Sequence, residues 1–74
     1  EYFLPVNNTV SVTIYSMLGK EIVRLVNNKY TMAGSHYVVW NGTDMNGIKV
    51  GSGTYIYKLR YGNFSKTRQM TFIK

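Results

Sequence analysis

No cysteine occurs in this chain, so neither a disulfide nor a thiolate metal site can brace the fold. That absence leaves the compartment open, because it suits a reducing cytosol and a disulfide-free surface protein alike. Long apolar runs are missing too. Nothing approaches the ~20 consecutive apolar residues of a membrane-spanning helix. The opening residues Glu1-Tyr2-Phe3-Leu4-Pro5 lack the basic and apolar regions of a secretory signal. With glutamate in first place, the chain is expected to be a piece cut from something longer, with any export signal on the missing part and Tyr2-Phe3-Leu4 the end of a first strand whose beginning is cut off.

Acidic residues are scarce: three Asp/Glu stand against nine Lys/Arg, a net charge of +6. The cations are spread as isolated charges from Lys20 to Lys74 and form no block. They read as protection of sheet edges and as solubility; a polyanion site is the alternative. The single proline, Pro5, sits where it can end an edge strand.

What the chain does have is bulk. Its 74 residues suffice for one domain, and a domain this small buries only about 60% of its unfolded surface. Seven Tyr, three Phe, one Trp and four Met supply the large side chains that a thin two-layer core needs.

The dominant pattern is alternation with period two, the mark of half-buried strands. Val10, Val12 and Ile14 share one face of a run, as do His36, Val38 and Trp40 in Ser35–Trp40. Tyr55, Tyr57 and Leu59 share another, with Thr54, Lys58 and Arg60 opposite. Arg68–Lys74 reads as the last strand, with Met70 and Phe72 inward. Glu21–Val26 reads as another strand, though its period is less clean and a helical turn is the alternative. Turn residues separate the runs: Met17-Leu18-Gly19-Lys20, Ala33-Gly34, the Asn41–Gly47 stretch, Gly51-Ser52-Gly53, and Tyr61-Gly62-Asn63-Phe64 as a hairpin. The pairs Asn41-Gly42 and Asn46-Gly47 predict type I′ turns. Strands at this spacing predict an all-β, Ig-like antiparallel sandwich of about seven short strands in a single domain over residues 1–74. The expected core is Val12, Ile14, Val38, Trp40, Tyr55, Tyr57, Leu59 and Met70.

Chemistry-bearing groups are few and scattered. Glu1 is terminal, Glu21 follows a turn, and His36 is a lone histidine on a core-facing position, better read as packed than as a base or ligand. No serine has a local base, so a nucleophile is not expected. A calcium loop at Asp44-Met45-Asn46-Gly47 would need more carboxylates than one aspartate supplies; a turn in which Asp44 bonds its own backbone is the simpler reading. The sequons at Asn7, Asn41 and Asn63 read as turn chemistry rather than glycosylation. Aromatic–basic neighbours such as Tyr57-Lys58 arise from strand alternation, and no nucleic-acid signature accompanies them. The expectation is a non-enzyme with no cofactor, no metal and no nucleic-acid partner.

Four blocks in order carry a resemblance. Val10-Ser-Val-Thr-Ile-Tyr-Ser-Met-Leu-Gly-Lys-Glu-Ile-Val resembles the V-x-L-x-I-Y-D-x-L-G-R-E-V run of type A C-terminal sorting domains of the bacterial type IX secretion system. Ala33 to Asp44 resembles A-G-x-H-x-V-x-W-D-G-x-D, and Asn46 to Leu59 resembles x-G-x-x-V-x-S-G-x-Y-x-Y-x-L. Phe64 to Lys74 resembles the closing F-x-x-T-R-K-M-x-L-x-K. The middle block is shared with the Ig-like domain of flagellar hook-capping proteins. An upstream Y-P-N-P stretch is absent, and Ser16 and Asn41 stand where aspartate is common.

The resemblance implies a sorting tail that directs an upstream cargo domain of the same chain to the outer-membrane translocon, through the periplasm, for secretion or display at the cell surface. It implies Gly53, Tyr55, Lys66, Thr67, Arg68, Met70, Phe72 and Lys74 as candidate signal residues, with packing as the competing role. Anionic surface polysaccharide and self-association are further expected partners. Two other functions stay open: a structural Ig-like module of a hook cap, fibre or surface layer, and a carbohydrate- or polyanion-binding module.

Overall fold

A computed structural model describes residues 2–73 of the chain. Six strands form two antiparallel sheets: β1 (Tyr2–Leu4), β2 (Asn8–Ser16), β3 (Glu21–Thr31), β4 (Gly34–His36), β5 (Gly53–Tyr61) and β6 (Phe64–Phe72). β1 pairs with β4 in a two-stranded sheet, and the other four run in the order β3-β2-β5-β6. The fold is an all-β, sandwich-like pair of layers.

Register explains the core. Val12 stands opposite Leu59, Ile14 opposite Tyr57 and Val10 opposite Tyr61, and residues directly opposite share a face. This inner face turns toward the small sheet, where Leu4 is held with Val10, Val12 and Leu59 in one buried cluster. Leu4 and Val10 are fully buried, a rank the expected core did not give them. Val12, Ile14 and Leu59 are buried, whereas Val38, Trp40, Tyr55, Tyr57 and Met70 are only half-buried.

Glu21–Val26 is strand, as its main reading had it, and the strand continues to Thr31. Its poor alternation has a cause in the pairing with β2. Ser11 alone faces both Asn27 and Asn28, and Leu25 and Ile22 are extra at the next two register shifts. Such bulges break period two and bend the strand. Asn28 takes φ +50°, the left-handed region that Asn tolerates better than most residues.

The run Ser35–Trp40 is strand only to His36. Its partner β1 begins at Tyr2, which already pairs with His36, so later residues have no partner strand among those described. The alternation still persists: Tyr37 and Val39 are 78% and 84% exposed, while Val38 and Trp40 turn inward. Residues 37–52 thus hold an isolated Thr43–Lys49 bridge in place of a seventh strand.

The Asn-Gly pairs do not form type I′ turns, which need positive φ at both central residues. Gly42 and Gly47 have positive φ, but Asn41 and Asn46 do not. Instead, Gly47 N–H donates to the Asp44 carbonyl at 3.0 Å and Asp44 N–H to the Ile48 carbonyl at 2.8 Å. This is a type I-like turn closed by a left-handed glycine. Ser16–Lys20 repeats the device, with Gly19 N–H on the Ser16 carbonyl at 2.9 Å and Ser16 N–H on the Lys20 carbonyl at 2.8 Å. The side chain of the first residue completes each turn. Asp44 Oδ1 accepts the N–H groups of Asn46 and Ile48 at 2.9 and 3.0 Å, and Ser16 Oγ accepts that of Lys20 at 3.1 Å.

Candidate interaction surfaces

The sequence-derived signal residues divide into two groups along the β5–β6 hairpin. Gly53 pairs with Phe72 and Tyr55 with Met70 at one end. There the rings gather on Trp40, whose indole lies 5.1 Å from the Tyr55 ring and 5.0 Å from Phe72. Polar tips are satisfied locally: Trp40 Nε1–H donates to the Thr43 carbonyl at 2.8 Å, and Tyr55 Oη–H to the Gly51 carbonyl at 2.7 Å. Gly42 lies against this cluster with φ +80°, and a Cβ there would overlap the Phe72 ring. Tyr55, Met70 and Phe72 therefore pack the aromatic end of the sandwich. An apolar cavity of about 290 Å³ adjoins them, lined among others by Trp40, Tyr57 and Leu59.

Lys66, Thr67 and Arg68 lie apart from that cluster, exposed on β6. Lys74 is outside the described residues. β6 is an edge strand, bonded to β5 alone. Tyr61 and Phe64 flank a two-residue Gly62-Asn63 turn, and in such a hairpin the flanking pair exchanges hydrogen bonds. Alternation from that pair gives Lys66, Arg68 and Met70 to β5. It leaves the backbone groups of Ser65, Thr67, Gln69 and Thr71 pointing outward, a row of unpaired donors and acceptors.

The remaining candidates are engaged structurally. His36 Nε2–H donates to the Met32 carbonyl at 2.6 Å, and its ring stacks on Tyr2 at 5.4 Å. Burial in this contact raises the Tyr2 phenol above its ordinary pKa. Glu21 pairs with Arg24 at 3.1 Å. Asn7 Oδ1 accepts the Ala33 N–H at 2.7 Å, and Asn41 Oδ1 accepts from Thr43 Oγ1–H at 2.6 Å. Among the described residues, no three His, Cys, Asp or Glu side chains cluster as metal ligands would.

Sequence reasoning missed the outer face of the four-stranded sheet. A polar concavity of about 530 Å³ opens there, with Ser11, Thr13 and Tyr15 in its floor and Arg24, Lys58 and Arg60 at its sides. The signal was present in the alternation that set Lys58 and Arg60 opposite Tyr57 and Leu59. Which face was concave could not be known without the β3 bulges.

Two antiparallel sheets packed around a buried aliphatic cluster define an Ig-like β-sandwich module. The chain belongs to the FlgD Ig-like domain family, whose family model matches residues 5–64. No curated protein and no solved structure matches it. The Ig-like relation to flagellar hook-capping proteins is thereby established, while the type IX resemblance rests on the sequence motifs alone.

Proposed function

We propose that this chain is a non-catalytic Ig-like module that works by surface contact, as an assembly unit of a hook cap, fibre or surface layer. The observation that carries this reading is the family match across residues 5–64. Two surfaces suit it. The outer edge of β6 offers unpaired backbone groups at Ser65, Thr67, Gln69 and Thr71, which a neighbouring strand can complete. The end of the sandwich that carries the paired turns exposes Met17, Leu18, Met45 and Ile48, apolar side chains of the kind that a subunit contact covers.

Sedimentation of the chain over rising concentration tests the reading. Association is expected, and Thr67→Pro should abolish it. The substitution removes only an outward N–H, so folding should survive, as proline is tolerated on edge strands. Arg68→Pro, one residue on, removes a bond to β5 and should unfold the hairpin. A chain that stays monomeric at every concentration, or a Thr67→Pro variant that associates like the parent, contradicts the assembly role.

A second reading has its own observation. Residues 65–74 lie beyond the family match, and the block from Phe64 to Lys74, much of it in β6, resembles the closing motif of type IX sorting domains. On this reading the module directs an upstream cargo through the periplasm to the outer-membrane translocon and the cell surface. Fusion to a carrier should then export the carrier in a type IX host, and deletion of Lys66 to Lys74 should stop it. Export that continues without that segment counts against sorting.

A further inference from the structure

We propose that the concave outer face of the four-stranded sheet is a binding site for an acidic oligosaccharide, one whose sugars carry carboxylates. This goes beyond the assembly and sorting readings and depends on neither.

Charges on edge strands are explained by edge protection. Lys58 and Arg60 are not on an edge, because β5 lies between β2 and β6. They are two residues apart on one face of an interior strand, and no described carboxylate pairs with either. Arg24 faces them from β3. The register places Thr13 opposite both Arg24 and Lys58, and Ser11 opposite Arg60. With strands about 4.8 Å apart, the Arg24 and Lys58 backbones lie about 10 Å from each other across the hydroxyl-bearing β2. Arg24 is paired with Glu21, but Lys58 and Arg60 share one face with no described carboxylate between them and repel unless an anion joins them.

The walls are built. Arg24 is braced by Glu21 at 3.1 Å and Asn27 at 3.3 Å. Asn28, at φ +50° in the bulge, is pinned to Ser11, with Ser11 Oγ–H donating to Asn28 Oδ1 at 2.8 Å and Asn28 N–H to Ser11 Oγ at 3.1 Å. The concavity, about 530 Å³, falls within the roughly 300–1,000 Å³ of ligand sites.

The lining selects among anions. The floor strand β2 has both edges paired, to β3 and β5, so it offers no backbone ladder to an acidic peptide. Only two rings line the concavity, Tyr15 and Tyr61, and the Tyr61 ring is stacked on Phe64 at 4.8 Å, so no row of ring faces is offered to successive bases. What remains are the Thr9 and Tyr15 hydroxyls and the Asn8 and Asn28 side-chain amides, which can exchange hydrogen bonds with sugar hydroxyls, and guanidinium and ammonium groups for the carboxylates.

Titration of the chain with tetragalacturonate, followed by amide chemical shifts, tests the proposal. Shifts should centre on Ser11, Thr13, Lys58 and Arg60. Affinity should fall at least 10-fold in the Lys58→Gln, Arg60→Gln double variant. It should stay within twofold in Lys20→Gln, Lys49→Gln, which loses equal charge elsewhere. The methyl-esterified tetrasaccharide, tetraglutamate and linear tetraphosphate should each bind at least 10-fold more weakly. Equal losses in the two double variants, equal binding of any of those three probes, or no shift on this face would overturn it. Unchanged melting temperatures of both variants keep the comparison free of folding effects.

Discussion

The two faces of the four-stranded sheet use the same backbone for opposite ends. On the inner face Val10, Val12, Ile14 and Leu59 exclude water and make the molecule's stability. On the outer face, one residue along each strand, Ser11, Lys58 and Arg60 surround a wet concavity. The difference teaches that a domain with so thin a core keeps its recognition chemistry off the face that folds it. Substitutions should therefore sort cleanly, with stability lost inside and binding lost outside.

Ile14→Ala should give the largest effect, about 2–5 kcal/mol of stability in a denaturant titration, since it removes buried methyl groups and leaves a cavity. A loss under about 1 kcal/mol would mean that the inner face is not the stabilising one. Gly42→Ala should cost about 1–3 kcal/mol from backbone strain alone, with overlap on the Phe72 ring added. That added part should shrink in a Phe72→Leu background, a coupling that a double-mutant cycle reads directly.

The paired turns come next. Asp44→Ala should cost about 1–2 kcal/mol and Ser16→Ala about 0.5–1 kcal/mol, because Asp44 accepts two backbone N–H groups and Ser16 one. Equal costs would show that the side chains do not govern these turns. Lys58→Gln with Arg60→Gln should change stability least, within about 0.5 kcal/mol, as for exposed charges outside any network. A larger loss would place these cations in the fold rather than in a site.

Much of this was legible beforehand. The alternation in Val10–Ile14 and Tyr55–Leu59 set the faces of the central strands correctly, and Asp44 read as a turn residue because a single carboxylate is poor calcium chemistry. Leu4 escaped notice because a three-residue strand has too few positions to show a period, and its burial comes from the distant Val10 and Leu59. β3 was obscured by its bulges, which depend on a partner strand the local sequence does not reveal. The type I′ expectation failed at Asn46-Gly47 where Asp44 Oδ1 takes up the Asn46 and Ile48 N–H groups, and at Asn41-Gly42 where Asn41 Oδ1 accepts from Thr43. Of the signal residues, alternation already turned Tyr55, Met70 and Phe72 inward; that the last strand begins at Phe64 and leaves Lys66, Thr67 and Arg68 on an open edge depends on pairing that the local sequence does not show.

Residue-by-residue amide exchange along β6 tests most directly whether this edge is the contact element. In the dilute, dissociated chain, Ser65, Thr67, Gln69 and Thr71 should exchange fast while Lys66, Arg68 and Met70 are protected, and association should protect the first set. Uniform protection in the dissociated chain, or association that leaves those four amides fast, would contradict it.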